Sequence, residues 1–190
     1  MDGAVGDTND SRELHVFGYG SLLFRPDFPY AARSGAYVRG WQRRLDQGSP
    51  DHRGTPERLG RVATLVRAPD ARCGGAVYTI ESAHRDEVLA MLDHRERGGY
   101  ARIEVEAFLV GPEAAPGAMV LATTWIATTE NPYYLGPAPL DAMVAQIRAA
   151  VGPSGANIDY VRKLAAALAD LGVEDPDVAR IADALATEKK

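Results

Sequence analysis

The order of the apolar segments along the chain is the feature that most constrains its fold. Six short apolar segments have the length and residue types of β-strands, with turn formers between most of them. Three later segments have apolar residues at helical spacing instead. Strands followed by terminal helices, without regular strand–helix alternation, favour an α+β domain over a doubly wound parallel sheet. The predicted strands are 14–17, 37–45, 62–66, 73–80, 101–109 and 119–126.

Four helices are predicted, each with one apolar face. The first runs from Ser82, as its cap, to about Arg95, and the pair Gly98-Gly99 ends it. Apolar stripes mark two helices near residues 140–151 and 158–168. The last begins at Asp175, a cap that is followed by proline at the first helical position.

One domain, residues 14–190, accounts for almost the whole chain. A chain of 190 residues with 46% hydrophobic residues can bury a sufficient core without disulfides. Residues 1–13 are small, polar and acidic, so we predict a disordered tail. The polar stretch 46–60 is rich in turn formers, which predicts a surface loop.

Charge and cysteine content narrow the classes of function. The net charge of -5 argues against nucleic-acid binding, and no apolar run is long enough to cross a membrane. The lone Cys73 cannot form an internal disulfide, which favours the reducing cytosol, and we interpret it as a small buried residue. The four histidines show no metal-ligand spacing.

Phe17-Gly18-Tyr19-Gly20-Ser21-Leu22 places two glycines at the end of a predicted strand. Such a turn can gather backbone N–H groups into an anion-binding nest or an oxyanion hole. The motif lacks the lysine of a phosphate loop and the last glycine of a hydrolase elbow, and Ser21 has no identifiable base. A purely structural turn explains the same residues, so both interpretations stay open.

Glu96 lies among charges of both signs at the end of the first helix. A solvated helix end is the simplest interpretation, because charged side chains are usually exposed. Alternatively, an acid placed before Gly98-Gly99 can project over a pocket, where a raised pKa would suit proton transfer. Similarly, the loop 131–137, with Tyr133 and Tyr134, either lines a binding site or only turns the chain.

Taken together, these motifs resemble the ChaC-type, glutathione-specific γ-glutamylcyclotransferases, in the family's order and from about His15 to Ala167. The resemblance is carried by six segments and a later helix entry: 16–22, 39–49, His52-Arg53-Gly54, Gly60-Arg61-Val62, Arg95-Glu96 with Gly98-Gly99-Tyr100, Asn131-Pro132 with Tyr134-Leu135-Gly136-Pro137, and 154–160. Tyr133 is bulkier than is usual at its position.

The resemblance implies a small mixed β-barrel with flanking helices, a cytosolic enzyme without a cofactor, and glutathione as the substrate. It implies that Glu96 is the general acid/base. It also implies that the γ-glutamyl head is held by the turn after the first strand, which comprises Val16, Phe17, Gly18, Tyr19, Gly20, Ser21 and Leu22.

Specificity would depend on groups that bind the Cys-Gly end of glutathione, and the candidates are Arg39, Arg44, Tyr134 and the loop 47–53. Three other functions remain as alternatives. They are a cyclotransferase for another γ-glutamyl compound, a non-catalytic small-molecule binding module, and a hydrolase that uses Ser21.

Overall fold

Five strands close into a barrel in the computed structural model of the protein, which describes residues 13–96, 98–112 and 114–187. Around the barrel the order is β1 (Leu14–Gly18), β3 (Gly60–Ile80), β2 (Ala32–Ser49), β4 (Tyr100–Val110) and β5 (Met119–Ala127). Neighbouring strands are antiparallel, except that β5 returns parallel to β1 and closes the barrel. This arrangement confirms the predicted α+β fold with a mixed barrel.

Four helices flank the barrel, as predicted: α1 (Arg85–Arg95), α2 (Leu140–Ala149), α3 (Asn157–Asp170) and α4 (Pro176–Ala186). A short ribbon of β6 (Val151–Gly152) and β7 (Gly155–Ala156) joins α2 to α3. The α4 start is as expected, because the Asp175 carboxylate accepts a hydrogen bond from the Val178 N–H at 3.0 Å. The prediction that Ser82 caps the first helix was wrong. Residues Ser82–His84 form a 3₁₀ turn, and α1 begins after this turn without a side-chain cap.

The strands β2 and β3 are much longer than their sequence predicts. β3 continues through residues 67–72, so the two segments predicted as separate strands are one. β2 extends to Ser49, which buries Asp46 and Gln47 although they were expected in a surface loop. The pairing of the two strands shifts near Gly40, with φ +75°, and again after Arg44. Such bulges interrupt the alternation of apolar and polar residues by which strands are recognised.

The core fills the barrel and the space between the barrel and the helices. On β4 the predicted alternation is confirmed, since Val105 and Ala107 are buried while Glu104 and Glu106 are exposed. Cys73 is buried as expected, and burial raises the pKa of its thiol to about 11. No described helix has the length and apolar character that crossing a membrane requires. The predicted disordered tail lies outside the described residues, except for Glu13.

Candidate active site

A cavity of about 150 Å³ opens where several separate segments of the chain meet. They include the turn after β1, the connection between β2 and β3, the end of α1, Ser154 in the ribbon and Tyr160 on α3, and the strands β3, β4 and β5 complete the lining. Of the candidate site residues, Glu96 lines this cavity together with Phe17, Tyr19, Gly20, Ser21 and Leu22, and the whole candidate loop 47–53 lines it too.

Glu96 ends α1, where its N–H donates to the Leu92 carbonyl at 2.9 Å. Its side chain is only 19% exposed, and one carboxylate oxygen lies 3.6 Å from Arg95 Nε. Burial raises the pKa of Glu96; Arg95 opposes this shift, and Asp51 adds to it. Glu96 is therefore a carboxyl group whose protonation is easier than usual, as acid/base chemistry near neutral pH requires.

Three tyrosines surround Glu96 and stay neutral. Burial raises the pKa of Tyr19 and Tyr100, and it raises the pKa of Tyr160 to about 12. Tyr19 donates to the Trp125 carbonyl at 2.7 Å, and Tyr160 accepts from the Ala63 N–H at 3.0 Å. These rings form a fixed wall of the cavity, and they withdraw Glu96 from water.

The turn after β1, residues 18–22, which we call the glycine turn, approaches Tyr160 closely. A Cβ built on Gly20 would lie 3.3 Å from the Tyr160 hydroxyl. Residues Ser21–Leu23 form a 3₁₀ turn, whose own hydrogen bonds are donated by the N–H groups of residues 23–25. The N–H groups of Gly20, Ser21 and Leu22 donate to no described residue. They are available to an anion, as the nest or oxyanion hole requires.

Ser21 is paired with an arginine. Its hydroxyl accepts a hydrogen bond from Arg95 Nη2 at 3.0 Å, and no described histidine or carboxylate bonds to it. A serine nucleophile needs a base within hydrogen-bond reach. The hydrolase alternative therefore has no structural support.

Three arginines line the cavity, and one of them has no carboxylate partner among the described residues. Arg25 and Arg95 both face Asp27. Arg53 is only 7% exposed, and its guanidinium makes one weak hydrogen bond, to the Ala156 carbonyl at 3.4 Å. Burial lowers the pKa of Arg53. Asp159 opposes this shift, but it lies beyond ion-pair distance of Arg53. A largely buried cation without a close counter-ion is unfavourable, so this wall of the cavity favours an anionic ligand.

The structure places the other predicted substrate-binding residues outside the cavity lining. Val16 and Gly18 belong to β1, and Val16 is fully buried in the core. Arg39 stacks on Phe108, with its guanidinium carbon 4.4 Å from the ring centre.

Arg44 pairs with Asp46 and Asp177. Tyr134 lies in an isolated bridge with Gln47. Arg39, Arg44 and Tyr134 therefore do not line this cavity, and their role in binding the Cys-Gly end stays a prediction. The bulges of β2 decide which way its arginines point, and the sequence pattern does not reveal bulges.

The family model described as ChaC-like protein matches residues 14–188. The chain is 39% identical to glutathione-specific gamma-glutamylcyclotransferase 1 of Homo sapiens, over 94% of this chain and 81% of that one. It is 40% identical to gamma-glutamylcyclotransferase 2-3 of Arabidopsis thaliana, over 90% of this chain and 87% of that one.

Among solved structures, a crystal structure of the gamma-glutamyl cyclotransferase specific to glutathione from yeast is similar. It superposes with a TM-score of 0.84 at 30% identity, and the match covers 92% of this chain and 96% of the yeast chain.

Proposed function

Because the chain belongs to the family of ChaC-like proteins, we propose that it is a glutathione-specific γ-glutamylcyclotransferase. This activity is that of a lyase, which converts glutathione to 5-oxoproline and Cys-Gly. The names of the human and yeast relatives support glutathione as the substrate. The observation that carries the mechanism is Glu96, a buried carboxyl group with a raised pKa in the same cavity as the glycine turn.

The substrate supplies its own nucleophile. The α-amine of the γ-glutamyl unit attacks the γ-carbonyl carbon, a ring C–N bond forms, and the bond from that carbon to the cysteinyl nitrogen breaks. The two protons that the α-ammonium loses end on the amine of Cys-Gly, so the reaction neither consumes nor releases a proton. Glu96 takes protons as the carboxylate and returns them as the acid, a role usually worth about 10²- to 10⁴-fold in rate.

Positioning contributes more than proton transfer. Intramolecular attack has an effective molarity worth about 7–11 kcal/mol when the glutamyl chain is held folded back on itself. The glycine turn, residues 18–22, holds that head and offers N–H groups to the oxyanion, at about 3–4 kcal/mol per donor. No cofactor is needed, because every step is a bond exchange or a proton transfer within the substrate.

The distal end of glutathione carries the glycine carboxylate. Within the loop 47–53, Arg53 is the buried cation without a described carboxylate partner. We assign the binding of that carboxylate to Arg53.

We infer that the enzyme works in the cytosol, where a chain with one buried thiol suits the reducing conditions.

Incubation of the purified protein with glutathione tests this function. Mass spectrometry should detect 5-oxoproline and Cys-Gly in equal amounts. The variant Glu96→Gln should fold and lose turnover, whereas Glu87→Gln, at an exposed position of α1, should behave as the parent.

Each alternative gives a different result. A module that only binds glutathione leaves it intact for hours, and a hydrolase releases free glutamate. A cyclotransferase for another γ-glutamyl compound forms 5-oxoproline faster from that compound. Turnover at the parental rate in Glu96→Gln would show that Glu96 is not the acid/base.

A further inference from the structure

Asn131 connects the turn that carries Glu96 to the wall of the cavity. It lies in the segment between β5 and α2, and it is only 6% exposed. Asn131 does not itself line the cavity. Any effect that it has on the reaction must therefore pass through its neighbours.

The amide nitrogen of Asn131 holds the turn between α1 and β4. Its Nδ2 donates a hydrogen bond at 3.0 Å to the carbonyl of Gly98, two residues after Glu96. Gly99 makes this close approach possible, because it has φ +88° and a Cβ built on it would lie 2.5 Å from that nitrogen. Gly99 is thus fitted to Asn131, whereas a Cβ built on Gly98 would meet no atom within 4 Å.

The amide oxygen of Asn131 is hydrogen-bonded to β2 and to the main chain of Tyr133. It accepts hydrogen bonds from Gln47 Nε2 at 3.1 Å and from the Tyr133 N–H at 2.9 Å. Gln47 is 1% exposed and belongs to the cavity wall on β2. The Gly48 N–H in turn donates to the Tyr133 carbonyl at 2.8 Å. The oxygen end of the amide is therefore tied to the strand that forms the wall.

In the described part of the chain, few other bonds restrain the turn. Its ends are held by the bonds from the Glu96 N–H to the Leu92 carbonyl and from the Tyr100 N–H to the Glu96 carbonyl. Among the described residues, only Asn131 bonds to its main chain through a side chain from elsewhere in the fold. Two adjacent glycines have more backbone freedom than any other pair, so a turn built from them needs such an external restraint.

We propose that Asn131 is a positioning residue for Glu96. It holds the turn at a fixed place relative to β2, so that the Glu96 carboxylate stays over the reacting atoms of the substrate. This inference rests on the proposed role of Glu96 as the acid/base. Displacement of a reacting group by about 1 Å can cost about 10²-fold in rate, so one bond to the turn is sufficient to matter.

Two variants test the proposal. Asn131→Ala removes both ends of the bridge, and Asn131→Asp keeps the shape and the accepting oxygen but loses the donor to Gly98. We expect kcat for glutathione to fall about 10- to 100-fold in each, measured at the variant's own pH optimum. KM should stay within about threefold, because the glycine turn that binds the head is untouched.

The pH profile separates positioning from general destabilisation. In Asn131→Ala the freed Glu96 carboxyl is better solvated, so its raised pKa moves back towards the ordinary value. The acid limb of kcat/KM should therefore move to lower pH. A role that is only structural would lower the melting temperature and leave this limb in place.

Asn157 provides the matched control. It is fully buried and bridges the barrel in the same way, since its Nδ2 donates to the Arg61 carbonyl at 2.8 Å and its Oδ1 accepts from the Arg61 N–H. It lies outside the cavity lining. The variants Asn157→Ala and Asn157→Asp should lower the melting temperature and keep the parental acid limb.

Two results would overturn the proposal: parental kcat in Asn131→Ala, or a loss no larger than in Asn157→Ala with an unmoved acid limb. If Asn131→Ala does not fold, kcat of Asn131→Asp relative to Asn157→Asp decides. A failure of the proposed function looks different, because the parental protein would then form no 5-oxoproline or Glu96→Gln would retain turnover.

Discussion

The burial of Glu96 that suits the proposed activity lowers the stability of the fold when the carboxyl group is ionised. Burial raises the pKa of its carboxyl group in the folded protein above that in the unfolded chain, where about 4.3 is usual. Such a group stabilises the fold fully below the unfolded pKa, and that stabilisation is lost as the pH rises through the folded pKa. Above the folded pKa the protein therefore carries an ionised carboxylate that its surroundings disfavour.

Replacement of Glu96 by glutamine should remove this loss of stability. We expect Glu96→Gln to melt at a higher temperature than the parent at pH 7, and the difference should shrink as the pH falls towards 4. Calorimetry at several pH values measures this, with Glu87→Gln as the control for loss of a surface charge. An advantage that is equal at both pH values would contradict the burial of Glu96 as its cause.

Arg53 should control the affinity for the glycine end of glutathione. Hydrogen bonds to charged groups contribute about 1.5–3 kcal/mol, so Arg53→Gln should lower kcat/KM for glutathione about 10- to 100-fold. The same variant should lose much less on γ-glutamylcysteinyl-glycinamide, which lacks the terminal carboxylate. Arg58→Gln, at an exposed position in the same connection, is the control. An equal loss of kcat/KM on both substrates would contradict this assignment and would indicate that Arg53 binds the α-carboxylate of the γ-glutamyl head.

At the scale of elements, α4 is joined to the barrel by a buried ion pair. The guanidinium of Arg43 on β2 is completely buried; it bonds to Asp175 at the start of α4, and it donates to the Tyr19 carbonyl at 2.7 Å. The last helix thereby supports the glycine turn from behind. An arginine in the interior needs its carboxylate, because an unpaired buried charge is strongly unfavourable.

Asp175→Asn separates this pairing from helix capping, because asparagine still caps a helix but carries no charge. We expect a loss of about 3–5 kcal/mol in the free energy of unfolding, measured with urea. Asp175→Ala should lose about 1 kcal/mol more, through the missing cap. Asp177→Asn, whose ion pairs are partly exposed, should cost no more than about 1 kcal/mol. Equal losses in the free energy of unfolding for Asp175→Asn and Asp177→Asn would show that the buried ion pair does not contribute this stability.

How far the elements were predictable depended on their regularity. The strand β4 alternates without interruption, so its inward face was readable from residues such as Val105 and Ala107. The α4 start was readable because Asp175-Pro176 is a local signal. The lengths of β2 and β3 were underestimated. Both strands contain bulges and buried polar residues, such as Arg43 and Gln47, which tertiary contacts make compatible with a strand.

At the scale of the whole molecule, the glycine turn and Glu96 were predictable because each lies in a short motif. Their shared cavity was not, nor was the burial that raises the pKa of Glu96, because the surrounding Tyr19, Tyr160 and Arg53 come from distant parts of the chain. By local pattern alone, Glu96 resembles a solvated helix end. The family resemblance favours a catalytic interpretation, and the packing of the barrel against the helices gives its physical reason, the burial of Glu96.

Because the cavity joins segments from residue 17 to residue 160, its ligand should stabilise the entire fold. The inactive Glu96→Gln variant allows glutathione to be held without turnover. At a glutathione concentration of about 100 times Kd, the free energy of unfolding should rise by about 2.7 kcal/mol, because binding occurs only to the folded state. Cys-Gly, which lacks the γ-glutamyl head, should have a much smaller effect at the same concentration.

Hydrogen exchange would show where this stabilisation acts. If the barrel and the terminal helices unfold as one cooperative unit, glutathione should slow exchange in α2 and α4, which do not line the cavity, as well as in the segments that do. Protection confined to the glycine turn and the end of α1 would mean that these segments open separately from the barrel. The ion pair of Arg43 with Asp175 and the bridge through Asn131 both connect cavity segments to distant elements, and they favour the cooperative outcome.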